Sequence, residues 1–137
     1  MNLFLWKKNM NDLKRLPVKY IRDRAKSAYK KGSECYVCGT TEELQFHHFY
    51  TVDLLWNKWA KCSGIEINSV EDILAHRDNF IAEHQKELYE DTVTLCWNCH
   101  NKRLHGIYGQ KPPLSTAEKQ RRWCDRMRRK LHPNEST

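Results

Sequence analysis

The sequence predicts a small α+β domain held together by more than its apolar core. Three observations carry this: two matched Cys-x2-Cys knuckles, a short aromatic strand pattern after the first of them, and helical patterns on either side. With 137 residues, 39% hydrophobic and 30% charged, the chain has the length of one domain and a modest supply of core residues.

The elements follow in chain order. In "NDLKRLPVKYIRDRAKSAYKKG", Leu13, Leu16, Val18, Ile21, Ala25 and Tyr29 recur at helical spacing, and Lys30, Lys31 and Gly32 form a stop signal. Pro17 cannot sit inside a helix, so the main helix starts near it. "LQFHHFY", after the first knuckle, suits a short strand. "DLLWNKWAKCSG" is expected to bury Trp56 and Trp59. In "SVEDILAHRDNFIAEHQKELYE", Ser69 and Asp72 make a capping pattern, and Val70, Ile73, Leu74, Phe80, Ile81 and Leu88 share a helical stripe. His84 beside that stripe reads as a packed residue, and Glu83 and Glu87 as an exposed acidic face. The second knuckle is expected to run into a helix from Asn98 or Cys99 to Gly106. The last helix is expected to be capped by Ser115 or Thr116.

Cys35-x2-Cys38 and Cys96-x2-Cys99 can each present two thiolates to one tetrahedral Zn²⁺, a structural staple. A disulfide framework would scatter its cysteines; Cys62 and Cys124, which lack this spacing, read as free thiols.

Charge is unevenly placed. The net charge is +7, yet residues 7–31 carry ten Lys/Arg against two Asp, and residues 111–130 carry eight against two acids, while residues 32–110 have six basic and twelve acidic side chains. Two basic arms flanking an acidic middle form a footprint for a phosphate backbone, so DNA or RNA is the expected partner. No apolar run is long enough to span a bilayer, and "MNLFLWKKNM" lacks the parts of a signal peptide; the expected location is intracellular, in the cytoplasm.

If four thiolates fill the zinc shell, His47, His48 and His100 are left over. Neutral imidazole is both a metal ligand and a side chain suited to take a proton near pH 7. A zinc module that only binds nucleic acid or protein has no need of such a set, whereas a metal-dependent nuclease does. A zinc-dependent nucleobase deaminase is set aside, because neither His-x-Glu nor Pro before either knuckle occurs.

On "CYVCG", "LQFHHF" and "TLCWNCHNKRLH", from Cys35 to about His105, the sequence resembles the HNH (His-Me finger, ββα-metal) endonucleases of the four-cysteine zinc subtype, as in small phage nucleases and homing endonucleases. The resemblance implies a zinc-stapled ββα-metal core hydrolysing DNA phosphodiesters. His47 and His100 would hold a catalytic Mg²⁺ or Mn²⁺, and His48 would be the general base. The implied organisation is one nuclease domain over 1–137: a basic helical arm (1–34), a core (35–106) with a helical insertion over about 51–90, and a basic helix and tail (107–137). If the protein is phage-encoded, its cytoplasm is the host's.

Two positions depart from the family pattern. Asp91 stands where an Asn commonly orients the loop of the base. His105 follows His100 by five residues where many relatives have four; five residues turn an α-helix through about 500°, so the two would not share a face unless the helix ended or bulged. His105 is accordingly expected as a phosphate or leaving-group contact or a third ligand, with a purely structural role as the alternative, and Asp91 as a catalytic-site residue of altered role. The base and ligand scheme also demands a distorted strand end, since adjacent strand residues point to opposite faces. Lys102, Arg103, Lys119, Arg121, Arg122, Arg126, Arg128 and Arg129 are the expected DNA contacts, with double-stranded DNA the expected form. A homodimer or protein partner stays open.

Overall fold

A computed structural model describes residues 16–133. Leu13, the basic residues before it and the end of the tail lie outside the described residues. The chain forms two compact units: residues 16–29 with Val52–Gln85, and Lys30–Thr51 with residues 86–133.

The first unit is helical. Helix α1, described over Leu16–Ala25, ends before Lys30 and Gly32, with a 3-10 turn Lys26–Ala28 after it; its expected start near Pro17 lies at the edge of the described residues. It packs with α2 (Val52–Cys62) and α3 (Val70–Glu83) around Ile21, Trp56, Ile73 and Phe80. Ser69 caps α3 by accepting the Asp72 N–H at 3.3 Å, the capping contact the sequence announces. Trp56 is buried; Trp59 is half-buried and donates its Nε1–H to Glu83. His84 stacks on Phe80, and its Nδ1–H reaches the Phe80 carbonyl at 2.7 Å. The expected stripe is shorter than its pattern: Leu74 is exposed, and α3 ends at Glu83. Leu88 belongs instead to the second unit, on a short π-helical turn, Lys86–Glu90.

The second unit holds an antiparallel pair of strands, β1 (Leu44–His48) and β2 (Thr92–Cys96), in register from Leu44↔Cys96 to His48↔Thr92. Strand β2 leads into a π-helix, Asn98–Leu104, then a single α-helical turn, α4 (His105–Tyr108). Helix α5, Ala117–Leu131, closes the unit. Its inward positions, Ala117, Gln120, Trp123, Cys124 and Met127, recur at three- and four-residue intervals and are apolar except for Gln120. Leu95, Leu104, Trp123 and Phe49 form the core beside the knuckle cysteines. Thr116 occupies the cap position of α5 without capping it, since its hydroxyl donates to the Pro113 carbonyl. Across the described residues the architecture is α+β, as predicted. No helix of the described residues is long and apolar enough to cross a membrane.

Gly106, the expected helix end, lies inside the helix; the stop is Gly109, at φ +91° and ψ 172°, where only glycine is comfortable. The two glycines should therefore respond oppositely to alanine. A Cβ on exposed Gly106 meets no atom within 4 Å, so Gly106→Ala is expected to raise stability by about 0.5–1 kcal/mol through helix propensity. Gly109→Ala should lower it by about 1–2 kcal/mol through backbone strain. Urea titrations of the two variants measure both signs.

Candidate functional site

The four knuckle sulfurs, from Cys35, Cys38, Cys96 and Cys99, lie within 4.8 Å of one another, with Cys38 Sγ 3.7 Å from Cys96 Sγ. Sulfurs held about 2.3 Å from a tetrahedral ion are about 3.8 Å apart, so the set can hold a metal of zinc's geometry. In each knuckle a backbone N–H points back at the first sulfur: Cys38 N to Cys35 Sγ at 3.5 Å, and Cys99 N to Cys96 Sγ at 3.4 Å. Burial alone would raise the Cys35 thiol, but backbone N–H groups of Cys38, Cys96 and Val37 outweigh it and bring the thiol to about 7. Cys124 is buried and its thiol pushed up to about 12 by that burial; Cys62 is exposed, and both are free.

Beside the sulfurs lies a second cluster, His47, His100 and His105, whose ring nitrogens also lie within 4.8 Å of one another. His47 comes from β1 and is buried; His100 comes from the π-helix and His105 from the turn that continues it. The helix type explains how His105 reaches the cluster. A π-helix bonds each N–H to the carbonyl five residues back, and here the His105 N–H bonds to the His100 carbonyl itself, stacking positions that an α-helix would splay apart. The bulge on which His105's participation depended is therefore present.

The ring nitrogens are oriented by their outer partners. His47 Nε2 lies 2.8 Å from Gln120 Oε1, His100 Nδ1 lies 2.7 Å from Gln45 Oε1, and His105 Nδ1 lies 2.7 Å from the Gly109 carbonyl. Each of those oxygens accepts a hydrogen bond from the imidazole N–H, which leaves His47 Nδ1, His100 Nε2 and His105 Nε2 as lone pairs facing inward. His100 Nε2 is 3.0 Å from each of the other two. Burial lowers the His47 pKa to about 3 and, with His105 adding repulsion, the His100 pKa to about 4, so both rings stay neutral at pH 7. Three lone pairs at such distances repel unless a cation lies among them. Nitrogens about 2.1 Å from an octahedral ion are about 3.0 Å apart, which these distances match.

His48 is elsewhere. Strand β1 is regular through its pairing with Thr92, so the distorted strand end demanded by the sequence-based scheme is absent, and His48 lies on the opposite face from His47. Its Nε2 is 3.0 Å from the Leu88 carbonyl, which fixes the proton there and leaves Nδ1 as the acceptor. Asp91 holds the adjoining chain: its backbone carbonyl accepts the Phe49 N–H at 3.1 Å, and its buried carboxylate accepts from Arg121 at 2.6 Å and from Lys86 at 2.9 Å. Gln120, Gln45 and Asn101, whose amide donates to Gln45 Oε1 at 2.8 Å, carry no motif. A trace of Gln120 alone is legible, as the polar residue on an otherwise apolar stripe of a predicted helix.

A family model described as "Nicking endonuclease family", built on the phage T5 enzyme type, matches residues 7–135. The chain belongs to the nicking endonuclease family. It is a DNA endonuclease, and the alternative of a zinc module without catalysis falls away. No solved structure matches the chain.

The basic residues of this endonuclease divide by position. Lys119, Arg122, Arg126 and Arg129 are exposed at three- and four-residue intervals along one face of α5. Lys102 is exposed, with its ammonium 5.6 Å from the Trp97 ring; Arg103 is half-buried, 5.7 Å from the Trp123 ring. Arg121 and Arg128 are tied into the fold instead: Arg121 binds Asp91 and packs over Phe49 at 4.9 Å, and Arg128 donates to the Tyr36 carbonyl at 2.7 Å and packs over its ring.

Three outcomes are expected. Folded protein should carry one thiolate-bound zinc per chain, and Cys96→Ser should lose both the zinc and the fold of the second unit, since zinc contributes on the order of 10 kcal/mol in zinc-finger peptides; elemental analysis and circular dichroism read this. Changing Lys119, Arg122, Arg126 and Arg129 to Gln should weaken DNA binding and flatten its log–log salt dependence by about 0.9 per lost contact. Arg121→Met should instead cost about 1–3 kcal/mol of stability, by leaving part of the buried Asp91 carboxylate unsatisfied.

Proposed function

We propose that this endonuclease is of the HNH type, with a structural Zn²⁺ on the four cysteines and a catalytic divalent ion on His47, His100 and His105. The observation that carries the proposal is the inward convergence of three unprotonated ring nitrogens whose outer N–H groups are all engaged. The all-nitrogen donor set favours Mn²⁺ over Mg²⁺, because imidazole suits first-row transition ions and Mg²⁺ seeks oxygen. An ion held there supplies Lewis acidity toward a phosphate oxygen and the departing 3′ oxygen.

The chain's own groups do the rest. His48, on the face of β1 away from the ion, takes a proton from the attacking water on the side of phosphorus opposite the departing oxygen, as in-line displacement requires, so no distorted strand end is needed; its Nε2 is held by the Leu88 carbonyl. The bond from phosphorus to O3′ breaks, giving 5′-phosphate and 3′-hydroxyl ends. Asp91 keeps the segment after β1 in place through Phe49 N–H and Arg121. Lys102, Arg103 and the exposed face of α5 grip flanking phosphates of duplex DNA. One such centre among the described residues suits cutting one strand per encounter. The whole chain, 1–137, then acts as one nuclease domain, with a helical insertion between its two strands.

Supercoiled plasmid with Mn²⁺ should relax to open circle without linear product, and EDTA should abolish this. His47→Ala, His100→Ala and His105→Ala should raise the Mn²⁺ concentration needed for activity, and excess Mn²⁺ should restore part of the rate. His48→Ala should lose about 10²–10⁴-fold in rate, with no rescue by metal and with DNA affinity intact. Wild-type rate in His48→Ala would remove the base; full activity in EDTA would remove the metal centre.

A further inference from the structure

The tautomer of His47 depends on a residue far from any nuclease motif. Gln120, on α5, is fully buried, and its amide is used at both ends. Its Nε2 lies 3.1 Å from the Phe49 carbonyl and 2.9 Å from Thr116 Oγ1. A backbone carbonyl only accepts. The Thr116 hydroxyl has its single proton committed to the Pro113 carbonyl at 2.7 Å, so toward Gln120 it too only accepts. Both amide protons are therefore spoken for, and a flipped amide would set its oxygen against the Phe49 carbonyl at the same distance. Oε1 must face His47 Nε2, 2.8 Å away, and a carbonyl oxygen there requires Nε2 to carry the proton.

With the metal-centre reading above as premise, we infer that Gln120 is a positioning residue of the endonuclease, which fixes His47 as the Nε2–H tautomer and so makes Nδ1 the nitrogen that binds the divalent ion. The dependence runs one way. In solution imidazole exchanges its proton freely between the two nitrogens, and with Nδ1 protonated a donor would point at His100 Nε2, 3.0 Å away, filling the place of a cation with a hydrogen bond. Gln120 excludes that arrangement. Pro113 and Thr116 lie one layer further out, so a metal ligand on β1 is governed by the start of the C-terminal helix.

The test uses full-length, zinc-loaded protein without added divalent metal. Long-range ¹H–¹⁵N correlation spectra should show His47 protonated at Nε2 in the wild type. Gln120→Met, close in size but without the amide, should populate the Nδ1–H form. Calorimetric titration with Mn²⁺ should show about 10–100-fold weaker binding in Gln120→Met, as expected on loss of an outer partner of a metal-bound histidine. Saturating Mn²⁺ should recover its cleavage rate. An Nδ1–H signal in the wild type would overturn the inference whether or not any variant folds. So would unchanged tautomer and Mn²⁺ affinity in a folded Gln120→Met. If the wild type takes up no Mn²⁺ at its histidines, the metal-centre reading fails instead, and the spectra alone decide for Gln120.

Discussion

Four sulfur atoms from two segments 58 residues apart at their closest pair impose the constraint on which the second unit depends. The first knuckle lies before β1 and the second at the end of β2, so bringing the sulfurs together also brings the strands into register. Hydrogen bonds reinforce the closure: Tyr36 N–H to the Thr94 carbonyl and Trp97 N–H to the Glu43 carbonyl, both at 2.9 Å. From there positions are inherited. His100 follows Cys99 directly, His47 lies three strand positions beyond the Leu44↔Cys96 pair, and the histidine cluster is assembled by elements already pinned for another reason. A metal across the four sulfurs, as proposed above, would stabilise a core this modest more than further apolar area.

Charge is handled in two ways in the same helix. Arg121 and Arg128 spend their guanidinium groups inside the fold, on a buried carboxylate and on a backbone carbonyl, while four other basic side chains of α5 stand exposed along one face. A buried carboxylate such as Asp91 needs its partners, so the first pair belongs to stability. The exposed face is screened by salt, and in the function proposed above it serves the encounter with DNA.

Much of this was legible in the sequence, and the misses have physical causes. The cysteines sit in Cys-x2-Cys motifs whose spacing suits a tetrahedral metal, His47 and His100 stand close to those motifs, and the cap at Ser69 is a local hydrogen bond; such signals are written in short stretches of sequence. His105 was hard to place because angular spacing assumes an α-helix, and the chain forms a π-helix there. Gly106 was misread as a stop because a helix tolerates glycine at modest cost, whereas the true stop, Gly109, is marked only by a backbone angle. Gln120 acts on a residue 73 positions away, and no local pattern encodes such a contact. Composition likewise counts arginines without telling which face inward. The regular pairing at His48 shows a further limit: motif order says which histidine follows which, and the strand's two-residue period decides where each one points.

The π-helix gives the centre a tolerance to changes in length. Five residues on from His100, a wide turn brings a side chain over the same spot that an ordinary α-helical turn reaches after about four. The wider turn keeps His105 over His100 across a five-residue spacing. Loss of one residue from the exposed side of this segment, at Lys102, would let the helix relax to its common form with both histidines still facing inward. In the proposed function, the segment could thus gain or lose an exposed residue such as Lys102 while its histidine side stays constant, so that how DNA is held could vary apart from how it is cut.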